Sequence, residues 1–358
     1  MAGALKQCCV AASEVDEVLL GNVLNAGLGQ APSRQAALGA GIPESVPCTD
    51  VNKVCASGMK TVMLGAQSVM LGHADVVVAG GFESMSNVPM YLPKKLPSYG
   101  HAAATDGILR DGLWDVYNDF HMGNCGEKCA KDHGVGREEQ DAFALESYAR
   151  ASAAQEAGVF GDEIVPVTVT VRGKETVVDT DEEPGKLRAD KLKTLSSAFM
   201  KDGTITAANA SKLNDGAAAV VLMAAEAAQA RGLPPLAKIR GFADAAQAPV
   251  DFSTAPALAV PIALERAGVA AEDVALHEIN EAFSVVTIAN AKLLGANMAD
   301  VNIRGGAVAL GHPIGASGCR IIVSLVHALK AERGEGAIGV ASICNGGGGA
   351  SAIVIESA

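Results

Sequence analysis

Four short stretches of the sequence hold side chains able to do covalent chemistry. Cys55 stands in Val-Asn-Lys-Val-Cys-Ala-Ser-Gly-Met-Lys, immediately ahead of an amphipathic helix, where free amides and the positive end of the macrodipole favour an anion. A thiol there is expected to ionise more readily than usual, and the small residues Ala56, Ser57 and Gly58 leave the sulfur accessible; the alternative is a buried structural cysteine. His312 lies in Gly-Gly-Ala-Val-Ala-Leu-Gly-His-Pro-Ile-Gly-Ala-Ser-Gly, residues 305–318. An imidazole fixed by a following proline and bracketed by glycines, which let backbone approach a ligand, is positioned rather than incidental. Cys344 follows a strand and precedes Asn345 and four glycines. Ligands of α/β sheets gather at the carboxyl ends of strands, and the Gly346 amide is the kind of donor that builds an oxyanion hole. Asn280-Glu281-Ala282-Phe283 joins a strand-like run to a helix, so Asn280 either caps that helix or holds a water.

The elements that must position these groups alternate between helix and strand. Met59, Val62, Met63, Ala66 and Met70 fall on one helical face, followed by a short buried strand at Val76–Ala79 that Gly80-Gly81 is expected to end in a turn. The same order recurs near the C-terminus, where Ala316-Ser317-Gly318 precedes a helix over 321–331 and a strand over 338–342. That echo implies a duplicated α/β fold with two facing halves. The first residues read as a helix running through Ala11 and Ala12 to Val18. Between the halves, Pro89, Pro93 and Pro97 open an irregular insert that carries a helix over 138–157, a strand over 165–171 and a charged loop over 179–188.

Apolar residues make up 49% of the 358, enough for a substantial core. A net charge of -12 argues against a nucleic-acid surface. An anionic ligand therefore needs a local basic patch, which Lys186, Arg188, Lys191, Lys193 and Lys201 offer against Asp190 alone over 186–201, unless they are a solvated charge run. The longest uncharged apolar stretch, 216–225, is far short of the ~20 residues a spanning helix needs, so no membrane partner is expected. The eight cysteines form no CxxC pair or zinc spacing, which implies reduced thiols. The serine-hydrolase elbow, the phosphate loop and the dinucleotide fingerprint are all missing.

Val-Cys-Ala-Ser-Gly, Asn-Glu-Ala-Phe, Gly-His-Pro-Ile-Gly-Ala-Ser-Gly and Cys-Asn-Gly-Gly-Gly-Gly, in this order, resemble the thiolase family over nearly the whole chain. The resemblance implies an α/β fold of five layers, α-β-α-β-α. It comprises an N-terminal core domain (1–235) with a loop domain inserted at about 86–211, and a C-terminal core domain (236–358). His121-Met122-Gly123 and Ala207-Ala208-Asn209-Ala210-Ser211 resemble the short-chain type, which reversibly condenses two acetyl-CoA to acetoacetyl-CoA and CoA; a broader 3-ketoacyl-CoA thiolase and a truncated, weakly active acyl-CoA-binding subunit are the alternatives. By resemblance Cys55 carries the acyl group, His312 activates it, Cys344 moves the α-proton, Asn280 holds a water that with His312 faces the enolate oxygen, and the amides of Cys55 and Gly346 hold the other oxyanion. CoA contacts fall at His121, Met122, Tyr148, Lys186, Leu187, Arg188, Lys191 and Ser211. No cofactor is required, although Tyr148, Ala207, Ala208, Ala210 and Val308 match a potassium site of some short-chain members, so potassium activation is an option. A homodimer or homotetramer is expected, in the cytoplasm, or in mitochondria if a targeting segment precedes Met1. Relatives begin earlier with a core strand, whose lack exposes a sheet edge, and many carry Asn where this chain has Arg304.

Overall fold

A computed structural model describes all residues, Met1–Ala358. The first half contains α1 (Ala2–Gln7), β1 (Glu17–Gly21), α2 (Pro32–Gly39), β2 (Cys48–Val51), α3 (Ser57–Met70) and β3 (Val76–Ser84). The insert follows, with two-residue strands β4 (Met90–Tyr91), β5 (Thr105–Asp106), β6 (Trp114–Asp115) and β7 (Phe120–His121), helices α4 (Met122–Asp132) and α5 (Arg137–Glu156), and the hairpin β8 (Val167–Val171) and β9 (Lys174–Val178). β10 (Asp215–Met223) returns to the first sheet and α6 (Ala225–Ala230) leads out of it. The second half comprises β11 (Ala237–Ala246), α7 (Pro256–Ala267), β12 (Val274–Ile279), α8 (Ser284–Leu294), α9 (Ala307–Leu310), α10 (Ile314–Glu332), β13 (Ile338–Asn345) and β14 (Gly349–Ser357).

The two sheets have strand orders β10-β3-β1-β2 and β11-β14-β13-β12. Their strands alternate: on β14, Ile353 and Ile355 join the central core while Ala350, Ala352 and Val354 join an outer one, the period of 2 that a sheet buried on both faces requires. α3 and α10 pack against each other and against both sheets. α7 covers the outer face of the second sheet, while Leu5 of α1 and Ala37 of α2 join the outer core of the first. Five layers result. α10 is long and apolar enough to cross a bilayer by length and composition, but it is the central helix, packed between two sheets.

Several sequence expectations are corrected. Gly80-Gly81 does not end its strand: β3 continues to Ser84, paired with β1 and β10. A Cβ on Gly80 would run into the Ala218 carbonyl, and one on Gly81 into the Gly315 carbonyl, so close approach and not a turn demands glycine. The first helix stops at Gln7, with Cys9 in a left-handed conformation (φ 56°), and Glu17–Gly21 is a strand. The irregular insert holds the 11-residue α4, unrecognised because its polar face interrupts the apolar period.

β10 takes the place that β14 has in the other sheet, but the neighbour that β11 provides there has no counterpart. β10 is an edge strand, half-buried from Ala218 to Met223 where β14 is buried almost throughout. A cavity of about 2930 Å³ opens along it between α1, α10 and β11.

Glu163, which lines this cavity, is paired with Arg304 behind it. The Arg304 side chain is 6% exposed and pairs at 3.1 Å with Glu163, itself 8% exposed; Ser324 donates to the same carboxylate, and Arg304 reaches the His327 carbonyl. Arg304→Asn leaves that carboxylate buried without its cation, so the urea midpoint is expected to fall by the equivalent of about 3–5 kcal/mol. Adding Glu163→Gln should return most of the loss, and an unchanged midpoint in the single variant would show that the pair contributes nothing.

Candidate active site

The turn carrying Cys55 is built by its neighbours. Ser57 Oγ accepts from the Lys53 amide (2.8 Å) and donates to the Val54 carbonyl (2.6 Å), while Asn52 Oδ1 accepts from the Val54 amide (2.9 Å). Val54 is held at φ 49°, rare for a branched residue and a strain of order 1–3 kcal/mol. Lys53 fastens the turn to the second sheet through Asp244 (2.6 Å), Ser351 (2.7 Å) and the Ala350 carbonyl (3.1 Å). Burial opposes ionisation of Asp244, but Lys53, Lys60 and Ser351 prevail and bring its carboxyl to about 2.

His312 lies two residues before α10 as Cys55 lies two before α3, and the N-termini of these helices cross. A Cβ on Gly58 would come within 2.9 Å of the Gly315 carbonyl, and one on Gly318 would strike the Met59 amide. Small residues at the crossing therefore bring together the two loops that precede the helices. Cys344 lies in the last turn of pleat of β13, ahead of Gly346.

The amides of Gly346 and of Cys55 itself lie near the Cys55 sulfur and favour its thiolate, and the Cys344 thiol lies near enough to feel its charge. Met122 flanks Gly346. Asn280 is no helix cap, since α8 begins after Phe283. Its Nδ2 faces His312 Nε2 at 3.5 Å, and its buried Oδ1 takes no hydrogen bond from the protein, an acceptor left over for a water or substrate. Cys55, Asn280, His312 and Cys344 are all buried.

Burial decides the electrostatics. It raises Cys55 to about 12 against the two amides, and raises Cys344 well above its ordinary value with help from Cys55; it lowers His312 to about 3, with Arg320 adding to the effect. The expectation of a readily ionised Cys55 is thus corrected: desolvation outweighs the helix terminus, and the resting pair is neutral thiol and neutral imidazole. His312 Nδ1 lies 2.6 Å from Ser317 Oγ, whose own proton points to the Pro313 carbonyl (2.9 Å). The proton of the ring then sits on Nδ1, and Nε2 keeps a lone pair beside the Asn280 amide. Ser317→Ala removes this anchor. It is expected to lower kcat by about tenfold, part of the 10²–10⁴ a positioned base contributes, with little change in KM; an unaltered kcat would show that the ring needs no such support.

A second group of residues lies beside the first. Tyr148, Val308 and, partly buried, Leu187 share one small core. The Ser211 amide donates to the Ala282 carbonyl, and the His312 amide donates to the Lys212 carbonyl (2.9 Å). Lys212 Nζ donates to the carbonyls of Ala207 (2.7 Å) and Ala210 (2.8 Å) and stands 5.8 Å from the Tyr148 ring centroid. Burial brings Lys212 to about 8, with Glu183 opposing. His121 caps α4, accepting from the Gly123 amide at Nδ1, and stacks on Phe199 at 4.6 Å. Lys186, Arg188 and Lys191 are gathered less tightly. Lys186 pairs with Glu183 just upstream and Arg188 with Asp190 within the run, so neighbouring carboxylates temper the basic run. The large cavity beside β10 does not contain Cys55, His312 or Cys344.

The family model of the thiolase N-terminal domain matches residues 1–226 and that of the C-terminal domain matches 233–357. The chain belongs to the thiolase family. It is 59% identical to acetyl-CoA acetyltransferase 1 of Arabidopsis thaliana over 99% of this chain and 86% of the relative. It is 57% identical to the mitochondrial acetyl-CoA acetyltransferase of Danio rerio over 99% and 84%. A thiolase of Ascaris suum, crystallised in complex with coenzyme A, superposes with a TM-score of 0.95 at 48% identity, covering 100% of this chain and 91% of the other. An acetyl-CoA acetyltransferase of Bacillus anthracis gives 0.96 at 42%, covering 99% and 90%. The thiolase fold and acyltransferase class expected from the motifs both hold. Two side chains escaped the sequence reading. Ser317 lies inside the His312 motif but five residues on, a spacing that means contact only once α10 is known to start at Ile314; nothing in the sequence marked Lys212.

Proposed function

We propose that this thiolase condenses two acetyl-CoA to acetoacetyl-CoA and CoA, reversibly, through an acetyl group on Cys55. His312 Nε2 takes the thiol proton as the sulfur attacks the thioester carbonyl, and the amides of Cys55 and Gly346 hold the oxyanion. Collapse expels CoA as thiolate, which takes a proton from Cys344. The Cys344 thiolate then removes the α-proton of a second acetyl-CoA. The enolate oxygen is met by His312 and by a water on Asn280, and the carbon attacks acetyl-Cys55 to release the β-ketothioester and the Cys55 thiolate, which takes its proton back from His312. A thiol raised by burial yields a strongly basic thiolate, which suits abstraction from carbon. The observation that carries this reading is a buried site in which Cys344 and the Gly346 amide lie near Cys55, and the helix crossing brings the loop of His312, faced by Asn280, beside the loop of Cys55.

His121, Met122, Tyr148, Leu187 and Ser211 line the CoA path, with Lys186, Arg188 and Lys191 at its phosphate end; the likeness to the CoA-bound Ascaris suum thiolase supports this. The working unit is a dimer or tetramer, which light scattering checks. A cytoplasmic site is our reading, although several relatives are mitochondrial forms. The experiment that tests the function is trapping of labelled acetyl on Cys55 from acetyl-CoA, followed by measurement of CoA release with and without a second acetyl-CoA. Label elsewhere, or no label, overturns the reading.

A further inference from the structure

The carbonyls that resemble a potassium cradle do not fit an added cation, because the chain has placed one of its own there. Lys212 Nζ donates to the Ala207 oxygen at 2.7 Å and the Ala210 oxygen at 2.8 Å, and faces the Tyr148 ring. These are the distances of charge-assisted hydrogen bonds, and a cation near an aromatic face gains further attraction. A potassium ion seated on the same two oxygens would meet the ammonium at contact distance, like charge against like.

We infer that Lys212 is a tethered replacement for a monovalent cation: its ammonium organises the 207–212 loop and makes the enzyme independent of potassium. The consequence reaches the reacting groups through backbone. The Lys212 carbonyl accepts from the His312 amide at 2.9 Å, the Ser211 amide donates to Ala282, and the Asn209 carbonyl accepts from Ser284. The loop that the ammonium holds thus abuts both the backbone of His312 and the Asn280–Phe283 segment. Lys212 is a positioning residue; its side chain reaches carbonyls, not the thiols.

The test compares wild type, Lys212→Thr and Lys212→Met in KCl, NaCl and choline chloride at constant ionic strength, reading initial rates and thermal unfolding midpoints. Wild type should show the same rate, within about 1.5-fold, and the same midpoint in all three salts. Lys212→Thr empties the cradle: its rate in choline chloride should fall by about tenfold, and KCl should restore both rate and midpoint saturably. Lys212→Met fills the space without charge and should be impaired and unrescued. A saturable potassium response of wild type overturns the inference, as does a Lys212→Thr variant indistinguishable from wild type in every salt. Should that variant not fold, rubidium soaked into wild-type crystals decides by anomalous scattering: an ion on the Ala207 and Ala210 carbonyls overturns the inference, and their remaining clear supports it. The midpoint and rubidium readouts do not depend on which acyl-CoA is used, so they fail separately from the proposed function.

Discussion

Cys55→Ala is expected to abolish both half-reactions, lowering turnover by about 10⁴-fold or more, while leaving the fold and CoA affinity nearly intact. The size follows from what is lost. Without the sulfur no acyl-enzyme forms, and the reaction must pass through a direct encounter of two thioesters that the site is not shaped to hold. Stability should change little, because Ala keeps the small volume that the crossing of α3 and α10 tolerates, and the strained Val54 is held by Ser57 and Asn52 rather than by the thiol. Cys55→Ser is the sharper variant. It keeps a nucleophilic atom facing the Gly346 amide, but an alcohol is harder to ionise than a thiol and a poorer leaving group, so an acetyl ester that forms slowly should persist. Mass spectrometry of the intact chain after incubation with acetyl-CoA reads this: no adduct on Cys55→Ala, a slow and lasting one on Cys55→Ser. Condensation by Cys55→Ala within tenfold of wild type would remove the acyl-cysteine from the mechanism.

The motifs gave these residues away because their chemistry demands unusual local sequence. A thiol at a helix start needs small neighbours, and an imidazole at a helix crossing needs glycines, so Cys55 and His312 both carried signatures in the residues beside them. The duplication was legible for the same reason: each half repeats the small-residue start of a central helix followed by a buried strand. What stayed hidden depends on distant contacts. Gly80 and Gly81 read as a turn because a glycine pair within one segment does not reveal the Ala218 and Gly315 carbonyls that press on it from other elements. The ionisation of Cys55 was misjudged in sign, since a sequence shows the helix terminus but not the desolvation that overrides it. Arg304 could be noticed as unusual but not explained until Glu163, 141 residues earlier, was seen beside it. Lys212 belonged to no motif at all, and only its distances to two carbonyls give it a role.

The two thiols should separate when mutated one at a time, and Cys344 is the informative one. Cys344→Ala is expected to keep acetylation of Cys55 within a fewfold of wild type in a single turnover, and to lose about 10²–10⁴ in condensation, the contribution of a positioned proton-transfer group. The asymmetry follows from position. Acylation draws on the imidazole and the two amides, and Cys344 enters it only by protonating CoA, a thiolate able to depart without that proton, whereas carbanion formation at the second acetyl-CoA needs a base whose proton affinity approaches that of carbon. Burial at the end of β13, with Cys55 beside it, pushes the Cys344 thiol well above its ordinary value, so its thiolate is a strong base. Exchange of the α-hydrogens of acetyl-CoA with deuterated water isolates this step from bond formation. Wild type should show exchange, and Cys344→Ala should lose it in parallel with condensation while its acetyl-Cys55 accumulates and returns acetyl to added CoA. The Ser317→Ala variant should differ, slowing both half-reactions together, because the imidazole it disorients serves acylation first and the enolate oxygen second. Exchange that survives Cys344→Ala would move the base elsewhere, with His312 Nε2, already facing Asn280, the first group to test.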